Sequence, residues 1–517
     1  MKRQFIPTSI AAVMLAAGTT SADIIEQWMR VFEGSPARIR VAGNGDVIVG
    51  GSRIVGTVFN IPTNVPVYDG WLVRLDPDGN ILWQWQSEWE ESDFLEDFAI
   101  ASNGDIIATF GTATTLSTGD PDNIRTVRID ATGNTVWSHE YSGPAGIENA
   151  TPHHIALDAN DNVYVAGEEY GPGSNFIDGV VLRYDNNGNL QWIRSRGGDM
   201  WDRIADIAVD AQGRLGIAGS ETSSPGILAY MASLMDANGN TLWTYYKEPS
   251  VPGNADAFDV EFDSAGNLAV TGTVDLGAST DDMHTVKLSP TGAVVWQRNY
   301  NGPGNGWDRG YALAIGLDDQ VYATGEAWKG WSWEYFDIQT LGYTSSGQVR
   351  LFNIYGSIGP AFAEDQSLNI ATFPNGEVVR LGCDTDKPGP DYIIHHFAAD
   401  GTLIDAVEGD LAGGSTSFSW KNLALDPNGR YAYFSGWGNG FSSNPVTWSS
   451  VVVKIDLGGT ALCPADCDEN GMLNIFDYIC FGNAYASQNP YADCDGSGGF
   501  SIFDYICYGN KYSNGCQ

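Results

Sequence analysis

Oxygen-bearing side chains recur at two places near the C-terminus with a spacing that suits a hard divalent cation. The first run is Asp466-Cys467-Asp468-Glu469-Asn470-Gly471-Met472-Leu473-Asn474-Ile475-Phe476-Asp477. The second is Asp493-Cys494-Asp495-Gly496-Ser497-Gly498-Gly499-Phe500-Ser501-Ile502-Phe503-Asp504, displaced by 27 residues at every position. Calcium takes six to eight oxygens at ~2.3–2.6 Å, and a twelve-residue loop supplies them from positions 1, 3, 5, 7, 9 and 12, with glycine at 6 for the sharp turn. The expected ligands are Asp466, Asp468, Asn470, the carbonyl of Met472, Asn474 and Asp477 in the first loop. In the second they are Asp493, Asp495, Ser497, the carbonyl of Gly499, Ser501 and Asp504. Position 12 is Asp in both loops instead of Glu. Ser497 and Ser501 make the second loop the weaker binder. Asp477 and Asp504 are expected to open short helices, where a carboxylate suits the positive end of the dipole. A single such string is often a plain turn; two in register, each with the same helix start, favour calcium.

Six of the seven cysteines fall in this segment: Cys463, Cys467, Cys480, Cys494, Cys507 and Cys516. They are disulfide candidates if the chain is exported, and six cysteines allow 15 pairings. Cys463 and Cys516 bracket the segment and suggest a terminal clasp. Cys383 stands alone and reads as a buried thiol. Residues 463–517 resemble type I dockerin domains, on the two loops and the repeated helix starts. The resemblance implies two calcium sites, a near-twofold pair of loop–helix units, and docking onto a cohesin-like protein. It places the contacts at loop positions 10 and 11, here Ile475-Phe476 and Ile502-Phe503, followed by Gly482-Asn483 and Gly509-Asn510. The same Ile-Phe pairs would also serve as core for so small a domain. The many cysteines and the Gly-Cys ending are similar to a subgroup of dockerins found as tags on exported bacterial proteins, which makes a cell-surface component an equal candidate partner.

The elements before this segment form a repeat. A turn followed by a short apolar strand occurs eight times: at Gly45, Gly104, Asp161, Gly213, Gly266, Asp319, Gly376 and Gly429. A second turn leads to tryptophan at Trp83, Trp137, Trp192, Trp243 and Trp296, spaced by 54, 55, 51 and 53 residues, with weaker copies around Gly347, Gly401 and Gly458. Several strands and one aromatic anchor per unit of this length predict a β-propeller. In the third unit the strands are expected at 155–157, 163–166, 180–184 and 190–194. The glycines are expected in two-residue hairpins that need positive φ, and the tryptophans between blades. The orphan strand from Glu26 to Phe32 should complete the last unit and close the ring. The units resemble bacterial SBBP repeats, which implies the fold and no activity. The fold class expected is thus an all-β eight-bladed β-propeller with a small α-helical calcium-binding dockerin-like domain at the C-terminus. Its parts are a signal peptide (1–22), the propeller (23–462) and the dockerin-like domain (463–517).

Lys2 and Arg3, an apolar stretch from Ile10 to Ala17 and small residues ending at Ala22 read as a secretory signal. The apolar stretch is far shorter than the ~20 residues of a spanning helix, so no transmembrane segment is expected. A formal charge of −38 disfavours nucleic acid as a partner. Catalysis would require converging titratable groups. Candidates are Asp97, Asp202, Asp206, Asp256, Asp259 and Asp308, with Trp201-Asp202-Arg203 repeated as Trp307-Asp308-Arg309. Paired carboxylates serve glycoside cleavage, whereas acids at equivalent repeat positions also close strand ends. Aromatic clusters at Trp85 and Trp89 and at Trp328, Trp331, Trp333 and Tyr335 are candidate sugar platforms. The expected function is a secreted, extracellular or surface-attached, non-catalytic propeller that binds or scaffolds a partner, a polysaccharide among the candidates. The rival is a polysaccharide-degrading hydrolase or lyase.

Overall fold

All eight copies of the first turn motif adopt the left-handed conformation where it is expected. The glycines 45, 104, 213, 266, 376 and 429 have φ between 74° and 87°, and Asp161 and Asp319 sit at 58° and 59°. Each turn joins the first and second strands of one antiparallel sheet. The computed structural model describes residues 25–457 apart from loop segments, the longest being 114–122, 356–364 and 439–448. Beyond these it describes residues 475–486, 492 and 501–514.

Eight sheets follow one another along the chain, and seven have four strands in sequential order. The first is Ser35–Val41, Val47–Phe59, Asn64–Leu75 and Ile81–Gln86. The third is Ala150–Leu157, Val163–Tyr170, Ile177–Tyr184 and Leu190–Arg196, each strand longer than its sequence pattern implied. The eighth is assembled from both ends of the body. Ile25–Glu33 pairs antiparallel with Ser449–Asp456, from Ile25 opposite Asp456 to Glu33 opposite Ser449. Met29 is buried there among Val451, Val453 and Ile455. The N-terminal strand therefore completes the last blade. The result is an eight-bladed β-propeller.

The first strands of successive blades are neighbours and ring the centre. The fourth strands face outward, and Thr135–Tyr141 is mostly exposed. Apolar clusters span adjacent blades: Ile48 and Leu72 of the first pack with Leu95, Phe98 and Ile106 of the second. Four of the repeated tryptophans hydrogen-bond to the next blade, while Trp137 covers Gly188 with its Nε1 unpartnered among the described residues. Trp83 Nε1 donates to the Ala131 carbonyl (2.9 Å), Trp192 to Ala237 (3.1 Å), Trp243 to Pro290 (3.0 Å) and Trp296 to Ser345 (3.0 Å). Each acceptor lies two residues before a turn glycine, and the indole covers that glycine closely. An added Cβ on Gly292 would lie 2.8 Å from Trp243. In the sixth blade Leu351 takes the tryptophan's place against Gly401.

Both sets of hairpins, the last copy of the first set apart, differ from expectation in one respect. These loops have three residues between the paired positions. Asp76 N donates to Asn80 O, Gly79 N donates to Asp76 O, and only Gly79 has positive φ. This is a type I turn closed by a glycine bulge, so one left-handed residue suffices where a two-residue loop would need two. Asp76 Oδ1 accepts the amides of Asp78 and Asn80, which explains the acid that starts four of the five tryptophan copies; in the fifth, Ser289 Oγ accepts the matching amides of Thr291 and Ala293.

The C-terminal segment contains α1 (Ile475–Ala486) and α2 (Ile502–Asn514). Both begin two residues before the aspartates expected to open them. Asp504 is therefore the third helical residue, and its Oδ2 accepts the Ser501 amide at 2.6 Å, the return half of a capping box. The helices meet through a near-twofold aromatic core. Phe481 stacks on Tyr508 with centroids 4.0 Å apart. Around that stack the contacts come in related pairs. Tyr478–Tyr508 (5.3 Å) matches Phe481–Tyr505 (5.1 Å), and Tyr478–Tyr512 (4.6 Å) matches Tyr485–Tyr505 (4.8 Å). Each pair is related by the same 27-residue offset as the loops.

Candidate functional site

The first strand of seven blades slips register at one equivalent residue: Ala37, Glu96, His153, Ala205, Phe258, Tyr311 and Leu368. A bulge frees one residue from the ladder and re-aims its neighbours. The residues just after it point back between blades. Asp97 Oδ1 accepts from Arg38 Nε (3.1 Å), Arg40 Nη2 (2.9 Å) and the Phe98 amide (2.8 Å). Its Oδ2 accepts the Ile155 amide of the next blade at 3.4 Å and faces His154 Nδ1 at 3.3 Å. The same His154 atom lies 3.4 Å from Asp206 Oδ1. Asp206 Oδ2 accepts the Val260 amide (3.3 Å), and Asp259 Oδ2 the Leu313 amide (2.8 Å). Burial alone would raise the Asp97 carboxyl, but the Arg40 and Arg38 guanidiniums and His154 outweigh it and hold the group well below the usual carboxylate range. Three of the candidate acids are thus staples between blades.

Asp202 and Asp308 tie strand ends within a blade. Asp202 Oδ1 accepts from the amide and from Oγ1 of Thr222. Asp308 accepts the Gly302 amide (2.6 Å) and the Trp328 amide (3.1 Å). Burial pushes its carboxyl up to about 7 against those two donors. Asp256 is different. It lies near the start of its blade's first strand and reaches across the blade interface to Arg203 Nη2 at 2.5 Å, and burial pushes it up to about 6 even so.

Around Asp256, at the end where the first strands begin, titratable groups from blades two to six converge. Burial raises the Glu96 carboxyl to about 7, with the charge of His153 opposing. His153 Nε2 lies 2.5 Å from Glu168 Oε1. Burial of Glu168 is outweighed by that imidazole, and its carboxyl is lowered. The Arg203 guanidinium lies 5.6 Å from the Phe258 ring, and Phe258 is 5.6 Å from Tyr311. The Tyr311 hydroxyl donates to Glu326 at 3.0 Å. Burial raises its phenol, the Glu326 charge adding to the effect. Arg309 reaches Asp281 at 3.5 Å. The band offers donors, acceptors and proton-exchanging groups on one surface, the arrangement expected of a binding or active site. Sequence reading singled out Asp256 and the two Trp-Asp-Arg runs here. It missed Glu96, Phe258 and Tyr311, which stand at the bulge, and Glu168 and Glu326, which pair with the residue two positions before it.

Trp85 and Trp89 pack on the buried Phe110 at 5.6 and 5.4 Å and belong to the apolar cluster between the first two blades. Trp328 covers Gly306. Trp331, Trp333 and Tyr335 lie outside the described residues. His396 is buried against Glu377 (3.0 Å).

Of the expected calcium ligands, Ser501 and Asp504 are described in full, and they lie together at the start of α2. Asp504 is a fully buried carboxylate, a hard oxygen donor of the kind calcium takes. Asp477 is placed on α1. The remaining loop positions fall outside the described residues. Among the described residues no three His, Cys, Asp or Glu side chains form a metal-holding group. Ile502, one of the expected contact residues, is 65% exposed and is not core. Ile475, Phe476 and Phe503 are placed on the helices, without description of their side chains. Ile479 and Ile506, related by the offset of 27, are each 52% exposed. Cys480 and Cys507 are both disulfide-bonded. Cys463, Cys467, Cys494 and Cys516, and with them the expected clasp, lie outside the described residues. Cys383 is a buried thiol. No helix among the described residues is long and apolar enough to cross a membrane.

No protein-family model matches the chain, and no curated protein matches it. Among solved structures it is similar to the polysaccharide lyase Uly1, at 11% identity over 70% of this chain and 90% of that one, with a TM-score of 0.40. It is also similar to the β-propeller domain of the Trilobed protease from Pyrococcus furiosus, at 7% identity over 69% and 93%, with a TM-score of 0.37. A third is puromycin hydrolase, at 13% identity, covering 78% of this chain and 58% of that one, with a TM-score of 0.41. These likenesses are of fold.

Proposed function

We propose that the protein is a secreted, non-catalytic β-propeller that binds or scaffolds a ligand and is fastened to a cohesin-like partner or the cell surface by a calcium-dependent dockerin-like module. The observation that carries this reading is the division of labour in the helix pair. Its core is made by Phe481, Tyr508 and their tyrosine neighbours, while Ile479, Ile502 and Ile506 stay exposed. A domain this small has little apolar surface to spare, and isoleucines left outside in repeat-related positions suit a partner surface. The two loop sequences supply the oxygen donors for calcium in this reading, Ser501 and Asp504 being positions 9 and 12 of the second. Retention of the full-length chain on immobilised cohesin and on bacterial cell-wall preparations, with calcium and with chelator, tests it. Retention that ignores calcium, or that survives Ile479→Asp with Ile506→Asp, contradicts it.

A second reading, a polysaccharide-degrading enzyme carrying the same module, draws on Glu96 and His153. An acid raised to about 7 beside an imidazole is poised for proton transfer near neutral pH. Release of reducing ends or unsaturated sugars from a polysaccharide panel would favour it, and binding without turnover would favour the scaffold.

A further inference from the structure

We infer that the channel mouth binds a neutral, hydroxyl-rich glycan, stacked on Trp201 and Trp307 and hydrogen-bonded by the ion pairs of Arg203 and Arg309. This rests on the binding reading above and gives it a site. The repeated run Trp-Asp-Arg divides its work between three side chains. The aspartate of each run anchors the end of the blade's second strand, as shown for Asp202 and Asp308. The arginine two residues on from the tryptophan enters the mouth, where Arg203 spans to Asp256 of the next blade and Arg309 reaches Asp281 of the previous one. The tryptophan is left on the rim.

Trp201 is 64% exposed and Trp307 36%. Trp28, Trp83, Trp192, Trp243 and Trp296 each donate their indole N–H to the neighbouring blade; neither rim tryptophan occupies that anchor position. An indole buries 150–250 Å² when covered, so leaving two at one mouth is costly unless something covers them. Arg309 lies 6.0 Å from the Trp307 ring, which places stacking surface beside a polar group.

Charge selects the class of glycan. Both guanidiniums are partly exposed, at 41% and 33% of their side chains, and both already face carboxylates. Arg203 Nε is buried and has no hydrogen-bond partner among the described residues. Paired planar groups present donors and acceptors side by side, which suits vicinal hydroxyls. A polyanion would instead meet Glu168, Asp256, Asp281 and Glu326 on a chain of net charge −38.

Affinity electrophoresis of the full-length protein through mixed-linkage glucan, mannan, arabinoxylan and polygalacturonate tests the inference. Retardation by at least one neutral glycan is expected. Trp201→Ala and Trp307→Ala should each weaken it about tenfold, as loss of an aromatic anchor does, while Trp→Phe at either site retains most of it. Both positions are exposed, so melting should be unchanged. Retardation indifferent to both tryptophans, by polygalacturonate alone, or by none of the four overturns the inference. Tryptophan-dependent retardation accompanied by cleavage supports the site and overturns the non-catalytic reading instead.

Discussion

Replacing Trp28 with Ala probes ring closure. Its Nε1 donates to the Pro77 carbonyl at 3.1 Å, its ring covers Gly79, and it lies 6.0 Å from Tyr433. Arg30 stacks over it at 5.4 Å and donates to the Gly79 carbonyl at 2.7 Å. The hydrogen bond contributes about 1 kcal/mol. Truncating a buried tryptophan costs ~3–5 kcal/mol; Trp28 is half-buried, so a total of about 3 kcal/mol is expected. A 1 kcal/mol loss moves Tm by ~2–4 °C in domains of 150–250 residues. The propeller is larger, so a fall of about 4 °C follows. Trp192 makes the matching contacts inside the ring, donating to Ala237 at 3.1 Å with Arg194 stacked at 5.2 Å and bonded to Gly239 at 3.0 Å. Calorimetry should therefore give similar Tm losses for Trp28→Ala and Trp192→Ala. Hydrogen exchange should separate them, since only the first loosens the pairing between Ile25–Glu33 and Ser449–Asp456. A Trp28→Ala variant that melts like the parent, while Trp192→Ala falls, would refute closure by the N-terminal strand.

Further outcomes follow from the same geometry. Gly347 has φ 81°, and an added Cβ would lie 2.5 Å from Trp296. Gly347→Ala should cost at least about 2 kcal/mol by denaturant titration, whereas Gly43→Ala, with nothing within 4 Å, should be near neutral. Glu96 is raised from 4.5 to about 7 by burial. The folded chain therefore holds that proton more tightly than the unfolded chain, and stability falls as pH rises through that range. The decline in Tm between about pH 4.5 and 7 should shrink in Glu96→Gln, measured by calorimetry. Phe481 is fully buried in the helix pair, so Phe481→Ala should cost ~3–5 kcal/mol. Helical circular dichroism should be lost while the propeller's thermal transition stays in place.

The blades were legible because each depends on local chemistry repeated at a fixed period. A glycine where φ must be positive, an aspartate that caps the turn and a tryptophan after it identify a hairpin without any distant contact. The orphan strand around Trp28 was legible for the same reason, because it carries the anchor that the last unit lacks. The blades that had lost the signal were harder to read, as where Leu351 stands for tryptophan. The channel mouth was not legible. Arg203 meets Asp256 across 53 residues, and Glu96 feels the charge of His153 from the bulge of a neighbouring first strand. Those meetings are made by ring geometry and leave no local pattern. The helix starts were misplaced by two residues because Asp504 caps from the third helical position and not from the first.

The most direct test of the central claim is retention of the full-length chain on an immobilised cohesin or cell-wall preparation as calcium is removed. The account predicts retention in calcium, release by chelator, and a greater loss for Asp466→Ala in the first loop than for Asp493→Ala in the second. Retention unchanged by chelator and by both substitutions would contradict it.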